Sequence, residues 1–172
     1  MLSGPFALAA ALLAVGGAMK MVRPGPAAGA LTALHIPAAR SAARLMGGAE
    51  LIAGSAALVV GGRGAALLVA GFYLVFAAFV AMAISGRVEV ASCGCFGQED
   101  APPGMAHLVI DLSAAGVCLA AAAAAPPPGI IDVLANQPWA GIPFIVFLAL
   151  GLAALVIAMT ELPRLNAARA DR

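Results

Sequence analysis

Charge is what this sequence has least of. Only 10% of its 172 residues are charged, with nine Lys or Arg against eight Asp or Glu and a net charge of +1. No basic run interleaved with aromatics occurs, so nucleic-acid binding is excluded. Aromatics are also scarce, at 5%, and there are two histidines, one tryptophan and one tyrosine. With 63% hydrophobic residues, the chain carries more apolar surface than a soluble domain of this size can hide, so lipid must solvate most of it. The alternation of a membrane β-barrel is missing, as are an internal repeat and a stretch resembling a soluble domain. Residues 1–14 lack the basic start of a secretory signal, since the first basic residue, Lys20, follows the apolar run; they read as a retained helix.

Glycine and alanine are abundant, and small residues are what allow helices in lipid to approach closely. The expected fold is therefore all-α and integral to the membrane, a single domain over 1–172 built as a bundle of four to five transmembrane helices. The spans are expected at Gly4–Val22, Leu45–Gly61, Ala65–Ser85, Ala106–Ala125 and Gly141–Thr160, each long enough for a hydrocarbon core of about 30 Å. Between the first two, Ala27–Arg44 is mixed in character and interrupted by Pro37; it reads as a short helix or loop along the interface. Gly61-Gly62-Arg63-Gly64 reads as a tight turn. Phe72, Tyr73, Phe76 and Phe79 read as lipid-facing or core rings of the third span. Pro126-Pro127-Pro128 stops the fourth span, a connector holds Asp132 and Asn136, and Trp139 stands where an interfacial anchor belongs.

Between the third and fourth spans lies a polar loop, Gly86–Met105, holding Ser92-Cys93-Gly94-Cys95-Phe96-Gly97 with Glu89, Glu99 and Asp100. If every span crosses once, this loop falls at one end of the bundle, here termed the loop end. Lys20, Glu50, His107, Asp111 and Glu161 fall at the same end by connectivity alone. Ionisable groups in a bilayer are costly and pair or line wet cavities, so Lys20 and Glu50 are expected to pair as supporting polar residues. His107 and Asp111 stand i, i+4 on one helix face, where a carboxylate-held histidine can accept a proton near neutral pH. Cys118 continues that stripe and reads as a small hydrophobe.

Three uses of Cys93 and Cys95 stay open on the residues alone: disulfide exchange, metal capture and a structural clip. A bridge needs a Cα separation of roughly 4.4–6.8 Å, which an i, i+2 pair meets with strain that Gly94 partly relieves. Strained disulfides are easily reduced and suit exchange, while so small a ring adds little chain-entropy stabilisation as a clip. Arg87, His107 and the start of the fourth span are the candidates for lowering a thiol pKa, with Glu99 and Asp100 opposing them. Two thiolates with His107 could take a metal, but no second Cys or His pair completes a site and none is expected.

The pentapeptide Cys93-Gly94-Cys95-Phe96-Gly97 after a third span resembles the signature of the MauE family of methylamine utilisation membrane proteins, grouped with DoxX-like redox-associated proteins. Gly16-Gly17 with Lys20 and an early Glu50 extend the resemblance over about 6–124, leaving the fifth helix and basic tail, 138–172, outside it. The resemblance implies a bundle akin to those of DsbB and vitamin K epoxide reductase. It also implies a role in disulfide formation or maturation of an extracytoplasmic protein, the small subunit of methylamine dehydrogenase in that family. Cys93 and Cys95 become the catalytic redox pair, with His107 and Asp111 beside them, and a thioredoxin-like extracytoplasmic protein becomes the partner. The family often carries an Arg before the position of Asp111; here it is Ile110, and His107 is the candidate to tune the thiols instead. Electrons would pass to a quinone or another carrier, although no sequence mark of a quinone site is present. The competing readings are a non-catalytic membrane assembly subunit and a small metal-handling or transport protein.

Two arguments conflict over orientation in the cytoplasmic (inner) membrane. Lys20, Arg23, Arg40, Arg44, Arg87, Arg164, Arg169 and Arg172 fall at the loop end and only Arg63 at the other, which would make the loop end cytoplasmic. Thiol oxidation favours the extracytoplasmic side. The expectation adopted is an extracytoplasmic loop, because the family's partner lies there; a re-entrant fifth span, allowed by Pro143, would re-site the tail.

Overall fold

Alanine-rich apolar runs broken by proline and glycine form helices wherever the run is long enough, and this chain is little else. The computed structural model describes residues 2–88, 90, 103–136 and 138–170, with the backbone alone at 138, 140 and 159–170. Among the described residues there are seven helices and no strands: α1 (Ser3–Val22), α2 (Gly25–Ala33), α3 (Ala39–Val60), α4 (Arg63–Ile84), α5 (Met105–Ala123), α6 (Ile130–Asn136) and α7 (Pro138–Ala170). Five of them, α1, α3, α4, α5 and the Gly141–Ala158 part of α7, are long and apolar enough to cross a membrane.

The first, third and fourth spans lie close to where they were expected, whereas the second does not. Helix α3 begins at Ala39 rather than Leu45, which puts Glu50 near its middle instead of close to one end. The Ala27–Arg44 segment is therefore two pieces: α2, packed against α3, and the opening turns of α3 that carry Arg40 and Arg44. Pro37 does interrupt the chain, with His35 and Ala38 in left-handed backbone conformations on either side of it. Helix α7 runs unbroken through Pro143, so the re-entrant alternative for the fifth span is not what forms. At 33 residues α7 is about 50 Å long, well beyond the hydrocarbon core. The connector before it holds a further short helix, α6, that the sequence reading lacked.

The far end of the bundle is tied by polar contacts. The α3–α4 turn has Gly61 and Gly62 at positive φ, and the Gly62 amide donates to the Pro127 carbonyl at 2.8 Å. Arg63 Nε donates to the Ala122 carbonyl at 2.8 Å, which satisfies a C-terminal carbonyl of α5 and sets a cation at the negative end of its dipole. At the loop end, Gly86 follows the cap of α4, and its φ of 73° lets the Arg87 amide turn back to the Met82 carbonyl at 3.0 Å.

Phe6, Leu12, Leu13, Val69, Tyr73 and Cys118 make the centre of the core, with alanines filling the spaces between helices. The rim of α4 (Leu67, Leu68, Leu74, Val75) and of α7 (Ile145, Val146, Phe147, Leu150) is exposed, as lipid contact requires. Trp139 is exposed at the start of α7, consistent with an interfacial anchor. The four rings of α4 divide: Phe72, Phe76 and Phe79 are half-buried, while Tyr73 is buried and donates its hydroxyl to the Ala9 carbonyl of α1 at 2.7 Å. Tyr73→Phe removes the hydroxyl that makes this bond and keeps the ring. A loss of about 0.5–1.5 kcal/mol in the unfolding free energy of the reconstituted protein is expected.

Candidate functional site

Close approach of two backbones builds the polar centre. Helices α1 and α3 run antiparallel and form the most extensive helix pair of the bundle. A Cβ added at Gly17 would stand 2.5 Å from the Gly47 carbonyl oxygen and the Leu51 nitrogen, and one at Gly54 would stand 2.6 Å from the Ala10 oxygen. Only glycine permits these contacts. The approach brings the last turn of α1 level with the middle of α3, and there Lys20 Nζ donates to Glu50 Oε2 at 2.7 Å. Lys20 is 3% exposed and Glu50 0%. The ammonium also sits over the Phe76 ring of α4, 5.0 Å from its centroid, a cation–π contact out of water. Among the described residues, Glu50 Oε1 has no hydrogen-bond partner.

The expected Lys20–Glu50 pair therefore forms directly. His107 and Asp111 are both buried on the inward face of α5, and Ala115 and Cys118 continue the same face toward the bundle centre. Gly104, in extended backbone, leads into α5, and its carbonyl accepts from the His107 amide at 3.0 Å. His107 and Asp111 thus occupy the opening turns of the helix that follows the polar loop, at the end of the bundle where Lys20 closes α1. Cys93 and Cys95 lie outside the described residues, as do Glu89, Glu99 and Asp100. Among the described residues, no three His, Cys, Asp or Glu side chains group closely enough to hold a metal ion.

Two features of the site escaped the sequence reading. One is the ring of Phe76 over Lys20, which depends on how α4 is rotated about its axis. The other is a cavity of about 100 Å³ walled by Ala27, Ala30, Leu31 and Leu34 of α2 on one side and Val75, Phe76, Phe79 and Val80 of α4 on the other, with Lys20 and Met46 between them. The small residues of α2 were the available signal, since a helix with alanine at its inward positions leaves space.

Chemically, the site offers a buried ammonium–carboxylate pair, and a histidine and a carboxylic acid on one buried face of the helix that follows the polar loop. Such groups can hold and pass protons where water is scarce. A family model described as methylamine utilisation protein MauE matches residues 2–126, which takes in α1 to α5 and leaves α6 and α7 beyond it. No curated protein and no solved structure matches the chain.

Proposed function

The chain belongs to the methylamine utilisation protein MauE family, and from that membership we propose that this multi-pass membrane protein is a thiol–disulfide redox protein supporting maturation of an extracytoplasmic protein. The observation that carries the reading is the burial of four ionisable side chains: Lys20 on the last turn of α1, Glu50 near the middle of α3, and His107 and Asp111 on the opening turns of α5. Ionisable side chains are costly in lipid, and four buried in so apolar a bundle are better accounted for by proton handling than by packing. The single domain extends over 1–172, with α7 an addition to the family core.

A thiolate of a thioredoxin-like partner attacks one sulfur of the Cys93–Cys95 disulfide, and the other sulfur leaves as a thiolate. The partner's second thiolate then attacks the mixed disulfide. The partner gives up two electrons and two protons overall and gains a disulfide; the Cys93–Cys95 pair gains the electrons, and His107 with Asp111 conducts the protons. A lipid-phase two-electron acceptor, for which a quinone is the candidate, returns the pair to the disulfide. The protein sits in the cytoplasmic membrane with the loop outside, in the compartment where disulfides persist.

In a Cys95→Ala protein the Cys93 thiolate can attack the disulfide of the oxidised partner, releasing one partner thiolate, and with no neighbouring cysteine of its own to resolve the bond a dithiothreitol-sensitive adduct is expected to accumulate in membranes. In intact cells, Cys93 and Cys95 are expected to react, after reduction, with a membrane-impermeant maleimide. If Cys93→Ala and Cys95→Ala each leave the redox state of every extracytoplasmic thiol protein unchanged, the redox reading fails. A cysteine-free protein that still supports maturation would make this a non-catalytic assembly subunit.

A further inference from the structure

We propose that the loop end of the α1–α3 pair binds the headgroup of an anionic phospholipid, with Arg23, Arg40 and Arg44 holding its phosphate. All three side chains are exposed, and none has an ion pair with Asp or Glu among the described residues. Of the acids whose side chains are described, Glu50 is taken by Lys20, Asp111 is buried on α5, and Asp132 lies on α6. At the far end Arg63 is engaged with the Ala122 carbonyl. Uncompensated positive charge is therefore a property of the loop end.

Helix register brings the three arginines to one place. Ala14 packs on Gly54, Gly17 on Glu50 and Leu51, and Lys20 on Gly47. Counting on in the same antiparallel register puts Arg23 level with Arg44. Arg40 stands i, i+4 from Arg44, one turn farther out on α3, so the two are neighbours on the helix surface. Both occupy the opening turns of α3, which has no acid in its first turn. There the helix dipole disfavours a cation, and the two guanidiniums repel each other. An anion lying against them removes both penalties, and a phosphate matches the donor fork of arginine.

The surroundings say which phosphate. Arg23 directly follows Val22, 75% exposed, and Arg44 directly precedes Leu45, 76% exposed. These apolar side chains belong in hydrocarbon, so the arginines beside them stand at the level of the headgroups rather than above the membrane. Helix α2, which carries no charged residue, packs against α3 at this same end. A surface with three cations and no described acid favours a headgroup of net negative charge over a zwitterionic one, which brings its own cation.

This assignment concerns lipid binding alone and does not rest on the thiol chemistry. The test uses delipidated full-length protein in detergent micelles, with dioleoylphosphatidylglycerol and dioleoylphosphatidylcholine as probes and native mass spectrometry to count the lipids retained. One phosphatidylglycerol per chain is expected to bind at least tenfold more tightly than phosphatidylcholine. Arg23→Gln, Arg40→Gln and Arg44→Gln should each weaken it about fivefold, and the triple variant should bind the two lipids alike. Raising the salt from 50 to 500 mM should narrow the preference in the unsubstituted protein, a measurement that needs no variant to fold. Equal retention of the two lipids by the unsubstituted protein overturns the assignment and leaves the arginines to an acidic protein surface. A preference that survives the triple substitution also overturns it, as does displacement of the lipid by 10 mM inorganic phosphate at constant ionic strength, which would make this a site for free anions.

Discussion

Glu50→Ala is expected to cost the bundle about 3–5 kcal/mol of unfolding free energy, because it strands the Lys20 ammonium in the interior without its counter-charge. The size follows from burial. Exposed ion pairs are worth little, but both members of this one are buried inside the bundle, away from water and lipid alike. Glu50→Gln keeps an oxygen for Lys20 Nζ and removes the charge, so its cost should fall between those of wild type and Glu50→Ala. Lys20→Met/Glu50→Gln leaves no charge at nearly constant volume and should recover most of the loss. Reversible unfolding in mixed micelles, or steric trapping in bilayers, measures all three. A double variant as unstable as Glu50→Ala would show that the charge pair is not what holds α1 and α3 at this level.

The Lys20–Glu50 pairing was legible in the sequence alone, and the reason is topological. Residues near the loop end of consecutive antiparallel spans must meet at one level, so Lys20 and Glu50 could be matched by counting along the apolar runs. His107, Asp111 and Cys118 were legible as one stripe for an equally simple reason, the 3.6-residue period of α5. What composition could not place was the start of α3. Ala39–Arg44 is alanine and arginine around one serine, a good helix former that no apolar run announces, so the boundary was put at Leu45, where the hydrophobic stretch begins. The seven residues of α6 were hidden by Pro128-Gly129 before them and Pro138 after. Tyr73 on Ala9, Phe76 on Lys20 and Arg63 on Ala122 depend on how neighbouring helices are turned toward one another. No periodicity within one helix carries that information. The arginine has a further consequence: the one basic residue at the far end is engaged in capping α5, so its presence there answers to packing as well as to membrane orientation.

Gly17→Ala and Gly54→Ala should each destabilise the protein by about 1–3 kcal/mol, at the upper end of that range because the obstructing atoms are backbone. At Gly17 the new methyl would lie 2.5 Å from the Gly47 oxygen and the Leu51 nitrogen, and at Gly54 2.6 Å from the Ala10 oxygen and the Ala14 nitrogen. None of these can rotate away as a side chain does, so the helices must separate. Gly71→Ala and Gly116→Ala are the controls: each lies in a helix with nothing within 4 Å of the added carbon, and each should be neutral or slightly stabilising. The two glycines should differ in one respect. Gly17 lies one turn from Lys20, and its added methyl would also stand 2.9 Å from Glu50 Cβ, so separation there lengthens the ion pair. Gly54 is one turn farther along α3 and acts on packing alone. Repeating both substitutions in the Lys20→Met/Glu50→Gln background separates the two effects, since coupled sites are non-additive and independent ones add. The penalty of Gly17→Ala should shrink in that background while that of Gly54→Ala stays the same. Equal penalties in both backgrounds would mean that the glycines serve helix packing only, and that the buried pair tolerates a wider α1–α3 spacing than its 2.7 Å contact implies.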